Sequence, residues 1–307
     1  GGEKVCDGTE CLGYDSFIAG AEPVETVEAH GDELAFWLYS SGSTGVPKGV
    51  RHVHSSLKAT SDTFGAQVLG ISEDDTVFSA AKLFFAYGLG NGMSFPMSVG
   101  GAAVIFSGRP TPEAVSDILA QEKPTIFCGV PTLYAALVAA QEKKGTPPEH
   151  CLRLCTSAGE ALPRDIGERW EKLWTAEIVD GVGSTEMLHI FVTNRFTDHR
   201  PACTGKPVTG YEARVVGPDG AELPAGEPGR LAVRGPTGCR YLFGDRQGDY
   251  VQNGWNITGD TFVRDADGYF HFAARNDDMI VSAGYNIAGP EVEAALLAHP
   301  AVAECAV

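Results

Sequence analysis

The chain has 307 residues, of which 43% are hydrophobic and 21% charged, and its formal net charge is −17. This composition is that of a globular protein with one large domain or two smaller ones. Because an acidic surface repels nucleic acid and anionic lipid, neither nucleic acid nor a membrane is expected as a partner.

The cysteines and the hydropathy of the chain predict where the protein works. The eight cysteines are scattered without a C-x-x-C pair, which suits a reducing compartment. No signal peptide opens the chain, and no apolar run reaches the roughly 18 residues of a membrane span. We therefore expect a cytoplasmic protein. The chain starts without methionine and stops in the apolar run AVAECAV, so we also expect its last domain to continue.

From about residue 35 onward, strand-like and helix-like segments alternate. The predicted strands are LAFWLYS, DTVFSAAKLF, GAAVIFS, PTIFCGV, LRLCTSAG and AEIVDGVG. The predicted helices are VRHVHSSLKATSDTFGAQVL with Ser55 or Ser56 as its cap, TPEAVSDILAQEK capped by Thr111, LYAALVAAQEKKG closed by Gly145, and PRDIGERWEKLW. This alternation favours an α/β fold with a largely parallel sheet covered on both faces.

The composition changes near residue 203, where glycine and proline become frequent. Apolar residues alternate with polar ones around Tyr211 to Val216, and GPDG is typical of a turn between strands. This part predicts a small antiparallel β unit. GYFHFAARNDDMIVSAGYNI is also strand-like, and GPEVEAALLAHP predicts a helix with Pro290 in its first turn.

The stretch YSSGSTGVPKG, Tyr39 to Gly49, combines hydroxyl residues and glycines with one lysine. Glycines let backbone N–H groups turn toward an anion, and Lys48 adds a positive charge. It is not a Walker A loop, because Pro47 precedes the lysine and Gly49 follows it. By composition alone, a phosphate-binding loop and a flexible surface loop are equally good interpretations.

The whole string resembles the phosphate-loop signature of the adenylate-forming superfamily, and further signatures follow in that family's order. GVGSTEM (181–187), ITGD (257–260) and ARNDDMIVSAGYNIAGPEVE (274–293) are similar to its metal-binding, ribose-binding and hinge motifs. The resemblance implies a truncated large domain over 1–276, with an α/β core over about 35–202 and a barrel-like β unit over about 203–272. It also implies that a small mobile α+β domain starts at 277–307.

The resemblance assigns roles to individual residues. Ser40, Ser41, Gly42, Ser43, Thr44, Gly45 and Lys48 would bind the ATP phosphates. Lys48, Thr185 and Glu186 would act in catalysis, with Glu186 as the Mg²⁺ ligand. Gly159, Glu160, Ala161, Asp180, Gly181, Val182, Asp260 and Arg275 would bind adenine and ribose. Asp277 would be the hinge, and Gly284 would face the coenzyme A tunnel.

The acid-binding pocket most resembles that of the benzoate-CoA ligase branch. FFAYGLGN, GVPTLYAAL and GSTEMLHIF carry this similarity, and a flat aryl acid suits a slot walled by an aromatic ring and glycines. The aryl-binding candidates are Ala86, Tyr87, Gly88, Gly183 and His189, and for His189 a core or surface histidine is the alternative. Phe84 and Phe85 are expected to belong to the core. The two histidines of HVH (52–54) are weak evidence for a metal site and are set aside.

The resemblance implies ATP-dependent activation of a benzoate-like acid to an aryl adenylate, followed by transfer to coenzyme A. ATP, Mg²⁺ and coenzyme A are the expected cofactors and substrates, and a homodimer is left open. The alternatives are an enzyme that loads a carrier protein and a nucleotide-binding protein without activity. Two departures bear on this: the family's C-terminal catalytic lysine would lie beyond Val307, and Val281 stands where relatives often have lysine.

Overall fold

The computed structural model describes residues 13–40, 48–196, 198–238, 240–242, 247–275, 280–282, 285–287, 289–297, 299, 302 and 305. The chain divides into two compact units, Gly1–His30 and Gly31–Val307. The described part of the first unit contains the helix α1 (Tyr14–Ala19). All other elements belong to the second unit. Among the described residues, no helix combines the length and the apolar character that crossing a bilayer requires.

The second unit opens with an antiparallel hairpin, β1 (Leu34–Ser40) and β2 (Lys48–Val53), which leads into α2 (His54–Thr60) and a π-helix (Ser61–Gly65). Residues 50–53, which the sequence placed in the helical segment, belong instead to β2. The expected cap at Ser55 or Ser56 is also wrong, because the helix begins at His54 and no side chain caps it. Its first amides instead donate to the main chain: His54 N to Glu33 O, and Ser55 N to Gly31 O. These carbonyls satisfy groups that a side-chain cap would otherwise satisfy.

The central element of this unit is a seven-stranded sheet of order β4-β3-β5-β6-β7-β8-β9. Its strands are β3 (Thr76–Ser79), β4 (Ala102–Val104), β5 (Ile126–Gly129), β6 (Leu154–Ala158), β7 (Ile178–Gly183), β8 (Ile190–Thr193) and β9 (Lys206–Pro207). The first five run parallel to one another, and the pairings of β8 with β7 and with β9 are antiparallel. The expectation of a largely parallel sheet is confirmed.

Helices cover both faces of this sheet. Between β3 and β4 lie α3 (Ala86–Leu89), a π-helix (Gly90–Ser94) and α4 (Phe95–Val99). The longer helices are α5 (Pro112–Gln121), α6 (Pro131–Lys144) and α7 (Arg164–Trp174). Thr111 caps α5 and Gly145 ends α6, both as predicted. One core cluster joins α5, α6 and α7 to the sheet and contains the stacked rings of Trp170 and Trp174.

The antiparallel unit is a five-stranded sheet in which β10-β11-β14-β13 pair in order and β15 pairs with β14. The remaining elements are β10 (Glu212–Val216), β11 (Pro228–Arg234), β12 (Arg240–Tyr241), α8 (Gln247–Tyr250), β13 (Val251–Gln252), β14 (Trp255–Arg264), β15 (Phe270–Arg275), β16 (Ile280–Ser282), β17 (Tyr285–Ile287) and α9 (Gly289–Leu297). Strand β12 joins the opening hairpin as its third strand. The second core cluster joins residues of both large sheets to the helical segments that contain Phe64 and Phe95.

A polar network closes the amino end of the parallel strands. Arg153 donates to the carboxylate of Asp75 from Nε (2.8 Å) and from Nη2 (2.7 Å), and Thr125 Oγ1 donates at 2.7 Å. Burial alone would raise the pKa of Asp75, but the hydrogen bonds from Arg153, Thr125 and the amide of Ser72 lower it to about 2. The Asp75 carboxylate is therefore ionised and hydrogen-bonded at both oxygens, and it connects the starts of three strands at this end of the sheet.

Candidate active site

The opening hairpin positions the base of the predicted phosphate loop. Ser40 and Lys48 face each other as register partners at the last pair of β1 and β2, and Lys48 is half-buried. The other predicted phosphate-binding residues lie outside the described part of the chain; they are Ser41, Gly42, Ser43, Thr44 and Gly45. The structure thus places the two ends of the loop side by side, at the end of a strand pair.

The segment between β7 and β8 holds Thr185 and Glu186, both half-buried. It turns sharply: Ser184 Oγ accepts from Met187 N at 3.1 Å, and Thr185 O accepts from Leu188 N at 3.2 Å. Because β7 runs parallel to β6, its end lies at the edge where open α/β sheets bind ligands. Glu186 therefore follows the carboxyl end of β7, and its role as a ligand-binding carboxylate stays a prediction.

Two side chains that the sequence did not assign contact this segment. The imidazole of His52 donates from Nε2 to Thr185 O at 2.8 Å, across 133 residues of sequence. The hydroxyl of Tyr241 donates to Glu186 Oε1 at 2.7 Å. His52 stood out only as part of HVH, and nothing in the sequence marked Tyr241. Both contacts depend on tertiary structure that periodicity does not reveal.

His52 is fully buried, and its ring lies 5.4 Å from that of Phe36. Burial lowers the pKa of His52 to about 4, and the hydrogen bond to Thr185 opposes this only in part. The ring is therefore neutral near pH 7. Since a carbonyl only accepts, Nε2 must carry the proton, which fixes the tautomer.

The predicted adenine-binding segments lie on neighbouring strands. Ala158 at the end of β6 pairs with Gly181 of β7, so the loop beginning at Gly159 adjoins the predicted residues Asp180 to Val182. Gly159 has φ of +98°, a left-handed conformation that favours glycine. Together with the next two predicted residues, Glu160 and Ala161, it is exposed.

Unlike the exposed loop from Gly159 to Ala161, Asp180 is buried. Burial raises the pKa of Asp180 to about 8, although hydrogen bonds from the backbone of Leu162 and Gly181 oppose the rise. Within the described part of the chain, Oδ1 has no hydrogen-bond partner. The carboxyl is therefore largely protonated near pH 7, when it can donate as well as accept.

Gly183 and Gly181 permit the close approach of β7 to β8. A Cβ at Gly183 would lie 2.7 Å from His189 O, and one at Gly181 would lie 2.7 Å from Cγ2 of Ile190. The absence of a side chain at both positions is thus explained by strand packing. Whether Gly183 also lines the aryl pocket stays a prediction.

His189 lies in an aromatic cage on the core side of the same segment. Its ring centroid is 4.7 Å from that of Phe95, 4.8 Å from Phe64 and 5.6 Å from Tyr87, which stacks on it. Burial lowers the pKa of His189 to about 3, and the backbone of Tyr87 opposes this only weakly. Neither ring nitrogen makes a hydrogen bond of ordinary geometry to any described residue. Tyr87 and His189, both predicted as aryl-binding residues, are thus in contact with each other, and the imidazole of His189 is neutral near pH 7.

The rest of the predicted aryl segment is placed less uniformly. Ala86 is half-buried beside Tyr87. A Cβ at Gly88 would lie 2.1 Å from Lys82 O, so this glycine is required by backbone packing. Gly90, which the sequence did not single out, leaves the room that the His189 ring occupies, since its Cβ would lie 2.6 Å from Cδ2. The expectation that Phe84 and Phe85 belong to the core is wrong: both rings are exposed.

The predicted ribose-binding residues Asp260 and Arg275 are register partners on β14 and β15. The fold thus brings together two positions that were predicted from separate motifs. They belong to the five-stranded sheet rather than to the sheet that carries Glu186. Asp277 and Gly284 lie outside the described residues.

Among the described residues, no group of three or more His, Cys, Asp or Glu side chains could hold a metal ion. A single carboxylate at Glu186 is nevertheless compatible with Mg²⁺, because Mg²⁺ is commonly held by one or two carboxylates together with substrate phosphates. Tyr241 uses one carboxylate oxygen of Glu186, and the carboxylate keeps further lone pairs. Glu186 therefore fits a metal that is bound jointly with a nucleotide.

Comparison with known proteins identifies relatives of the chain. The model of the AMP-binding enzyme family matches residues 4–242. The benzoate–CoA ligase of Thauera aromatica is 47% identical over 304 residues, which cover 96% of this chain and 57% of the relative.

Solved structures agree with that match. A benzoate CoA ligase from Burkholderia xenovorans LB400 superposes with a TM-score of 0.87 at 42% identity, covering 95% of this chain and 58% of the other. An anthranilate CoA ligase in complex with anthranoyl-AMP gives 0.90 at 40% identity, covering 96% and 58%. The chain therefore spans less than three fifths of the length of these relatives.

Proposed function

The chain belongs to the AMP-binding enzyme family, and we propose that the complete protein joins an aromatic carboxylic acid to coenzyme A through an aryl adenylate. The acid is benzoate-like: one flat ring bearing a carboxylate. ATP is the activating substrate and AMP and pyrophosphate are the products.

The observation that carries this proposal is the segment that joins β7 to β8. It bears Glu186, which accepts a hydrogen bond from Tyr241 of β12, the strand next to the phosphate-loop hairpin. Three residues later it bears His189, which lies in the aromatic cage. A carboxylate suited to phosphate chemistry and the aromatic cage that we propose to bind the ring are thus joined by one short turn. Such an arrangement brings the carboxylate of an aryl acid close to a nucleotide phosphate.

The first step forms a bond between a carboxylate oxygen of the acid and the α-phosphorus of ATP, and breaks the bond to pyrophosphate. Lys48 and the loop that starts at Ser40 bind the leaving phosphates, whose charge the lysine ammonium offsets. Glu186 would hold Mg²⁺ together with those phosphates, and the ion would neutralise part of their charge. Thr185 adds a hydroxyl next to Glu186.

The second step forms a bond between the coenzyme A thiolate and the acyl carbon, and breaks the bond to AMP. During both steps the nucleotide is held by the loop from Gly159 to Ala161, by Asp180 to Val182 and by the pair Asp260 and Arg275. The neutral ring of His189, stacked on Tyr87, excludes water from the aryl slot.

The test uses the complete protein, because the chain spans only part of its relatives. Pyrophosphate release is measured with benzoate, 2-aminobenzoate and hydroxybenzoates, and we expect release with at least one of them. Coenzyme A and a holo carrier protein are then offered as acceptors, and the thioester is expected on coenzyme A. No release with any aryl acid contradicts the proposal, and acylation of the carrier alone supports the alternative acceptor.

Lys48→Ala is the matched test of the phosphate loop, with Lys58→Ala as the control. Lys58 is exposed on α2, where it pairs with Asp62. Loss of the Lys48 charge is expected to slow pyrophosphate release by about 100-fold, whereas the Lys58 change leaves the rate unaltered. Equal rates in the two variants would remove Lys48 from the proposed role.

A further inference from the structure

His52 and Tyr241 reach the Thr185–Glu186 segment from one face of one sheet. Tyr241 of β12 is the register partner of Val50 in β2, and His52 follows two residues later along β2. Since side chains alternate along a strand, Val50, His52 and Tyr241 project from the same face. The sheet that carries the ends of the phosphate loop therefore also carries both contacts to the segment with Glu186.

The two contacts constrain different degrees of freedom. His52 binds the carbonyl of Thr185 and so fixes the main chain just before the glutamate. Tyr241 binds Oε1 of Glu186 and so fixes the rotation of the carboxylate. Both donors are buried: His52 is 0% and Tyr241 6% exposed. A hydrogen bond from a buried donor is difficult for water to replace, so each tie holds its partner firmly.

A third tie reaches the same turn from elsewhere. Thr237 Oγ1 donates to Met187 O at 2.8 Å, and the hydroxyl of Tyr211 lies 2.8 Å from the same Oγ1. Because Thr237 uses its own proton on the carbonyl, Tyr211 is the donor of that pair. These residues support the turn without touching the carboxylate of Glu186, so they provide a matched control.

Resting on the proposed function, we propose that His52 and Tyr241 form a two-point clamp that positions the Glu186 carboxylate for the metal–nucleotide complex. They are positioning residues: they act through Glu186 and touch neither substrate nor metal. Through these two hydrogen bonds, the Glu186 carboxylate keeps a fixed position relative to the strands that carry the ends of the phosphate loop. Residues that orient a metal ligand in this way commonly change metal affinity by about 10- to 100-fold.

The experiment measures binding of the non-hydrolysable analogue α,β-methylene-ATP to the full-length protein by calorimetry, once with Mg²⁺ and once with EDTA. Tyr241→Phe is expected to weaken binding about tenfold with Mg²⁺ and to leave binding in EDTA unchanged. Tyr211→Phe, which removes an equally buried phenol beside the same turn, is expected to leave both values unchanged. Equal weakening of Tyr241→Phe in both conditions, or no weakening, overturns the clamp.

A double-mutant cycle separates the clamp from general destabilisation. If Tyr241 acts through the carboxylate, Tyr241→Phe adds no further loss of Mg²⁺-dependent affinity to Glu186→Gln. Additive losses contradict the proposal. Urea unfolding of each variant reports whether the fold is retained.

His52 supplies an independent arm. His52→Phe retains the aromatic volume but removes the donor, and is expected to lose Mg²⁺-dependent affinity as Tyr241→Phe does. His52→Gln restores an N–H donor and is expected to recover part of the loss, whereas equal affinities for the two variants contradict the role of the donor. These titrations need no turnover, so a protein that binds nucleotide but activates no aryl acid disproves the proposed function and still tests the clamp.

Discussion

Within the seven-stranded sheet, polar side chains are hydrogen-bonded to one another at the amino end of the parallel strands, but some that are buried further along these strands have no partner in the described part of the chain. At the amino end, Asp75, Thr125 and Arg153 directly precede β3, β5 and β6 and hydrogen-bond with one another. Further along the same sheet, Thr156 Oγ1 in the middle of β6 and Asp180 Oδ1 in β7 are buried without a partner among the described residues.

This difference separates stability from binding within one sheet. A paired network such as that of Asp75 stabilises the fold, whereas an unpaired buried polar atom costs free energy in the folded state. Open α/β sheets bind ligands at the carboxyl ends of their strands, where polar atoms must be available to a ligand. We infer that the paired amino end contributes more to the stability of the fold than the unpaired groups of β6 and β7 do.

The largest expected effect comes from breaking the amino end. Asp75→Ala removes a buried carboxylate that accepts hydrogen bonds from Arg153, from Thr125 and from a backbone amide. We expect the free energy of unfolding to fall by about 3 kcal/mol. Urea unfolding measures this. In the matched control Asp62→Ala, only the exposed pair with Lys58 is lost, and a change below about 0.5 kcal/mol is expected. Similar losses in the two variants would remove the stabilising role of the amino end.

Lowering the pH should weaken the stabilisation that Asp75 provides, whereas raising the pH should destabilise the fold around Asp180. The pKa of Asp75 is lowered to about 2 in the folded protein, so its contribution is present above its unfolded pKa of about 3.9 and is lost as the pH falls below that value. The pKa of Asp180 is raised to about 8, so the folded state is favoured below the unfolded pKa and loses stability as the pH rises toward about 8.

Asp180→Asn tests the second half of this statement. The amide has a similar shape and does not ionise, so the variant should gain stability relative to the parent by about 2 kcal/mol between about pH 5.5 and pH 7. Unfolding by urea at several pH values measures the difference. Asp165→Asn, an exposed change on α7, is the control. A pH-independent difference between parent and Asp180→Asn would show that the carboxyl is not held protonated.

The sequence predicted the parts of the fold that depend on local patterns. Period-two and helical segments located β1, β3, β5, β6, β7 and the helices α5, α6 and α7, because each buries one face or both within a short window. Glycine at Gly145 and threonine at Thr111 marked real helix ends. The resemblance assigned one shared role to each of two residue pairs, and the structure places the members of each pair opposite one another. These pairs are Asp260 with Arg275 and Ser40 with Lys48.

The contacts that the sequence did not reveal depend on distant segments. Ser55 and Ser56 looked like caps, but carbonyls of residues 31 and 33 satisfy the first amides of α2. Phe84 and Phe85 are apolar yet exposed, since residue type alone does not fix which face of a short segment is buried. Likewise, His52 meets Thr185 only because a hairpin packs beside the end of β7.

Two threonines allow the smallest and most direct test of the comparison. Thr125 Oγ1 donates to Asp75 Oδ1 at 2.7 Å and accepts from the amide of Thr76 at 3.1 Å. Thr156 Oγ1, in β6, has no partner among the described residues. Replacing each by valine removes one hydroxyl at nearly constant shape. Thr125→Val should cost about 1–2 kcal/mol, because the amide of Thr76 loses its side-chain acceptor and the buried carboxylate of Asp75 loses one of its donors.

Thr156→Val should instead change the free energy of unfolding by less than about 0.5 kcal/mol, or raise it, because it removes a polar atom that the folded protein does not pair. Urea unfolding of both variants at the same pH gives the comparison. The carbonyl of Thr156 still accepts from the hydroxyls of Tyr87 and Tyr134, so the main chain is held in both proteins. If the two valine variants lose equal stability, the Thr156 hydroxyl is paired in solution, and the contrast between the two ends does not extend to β6.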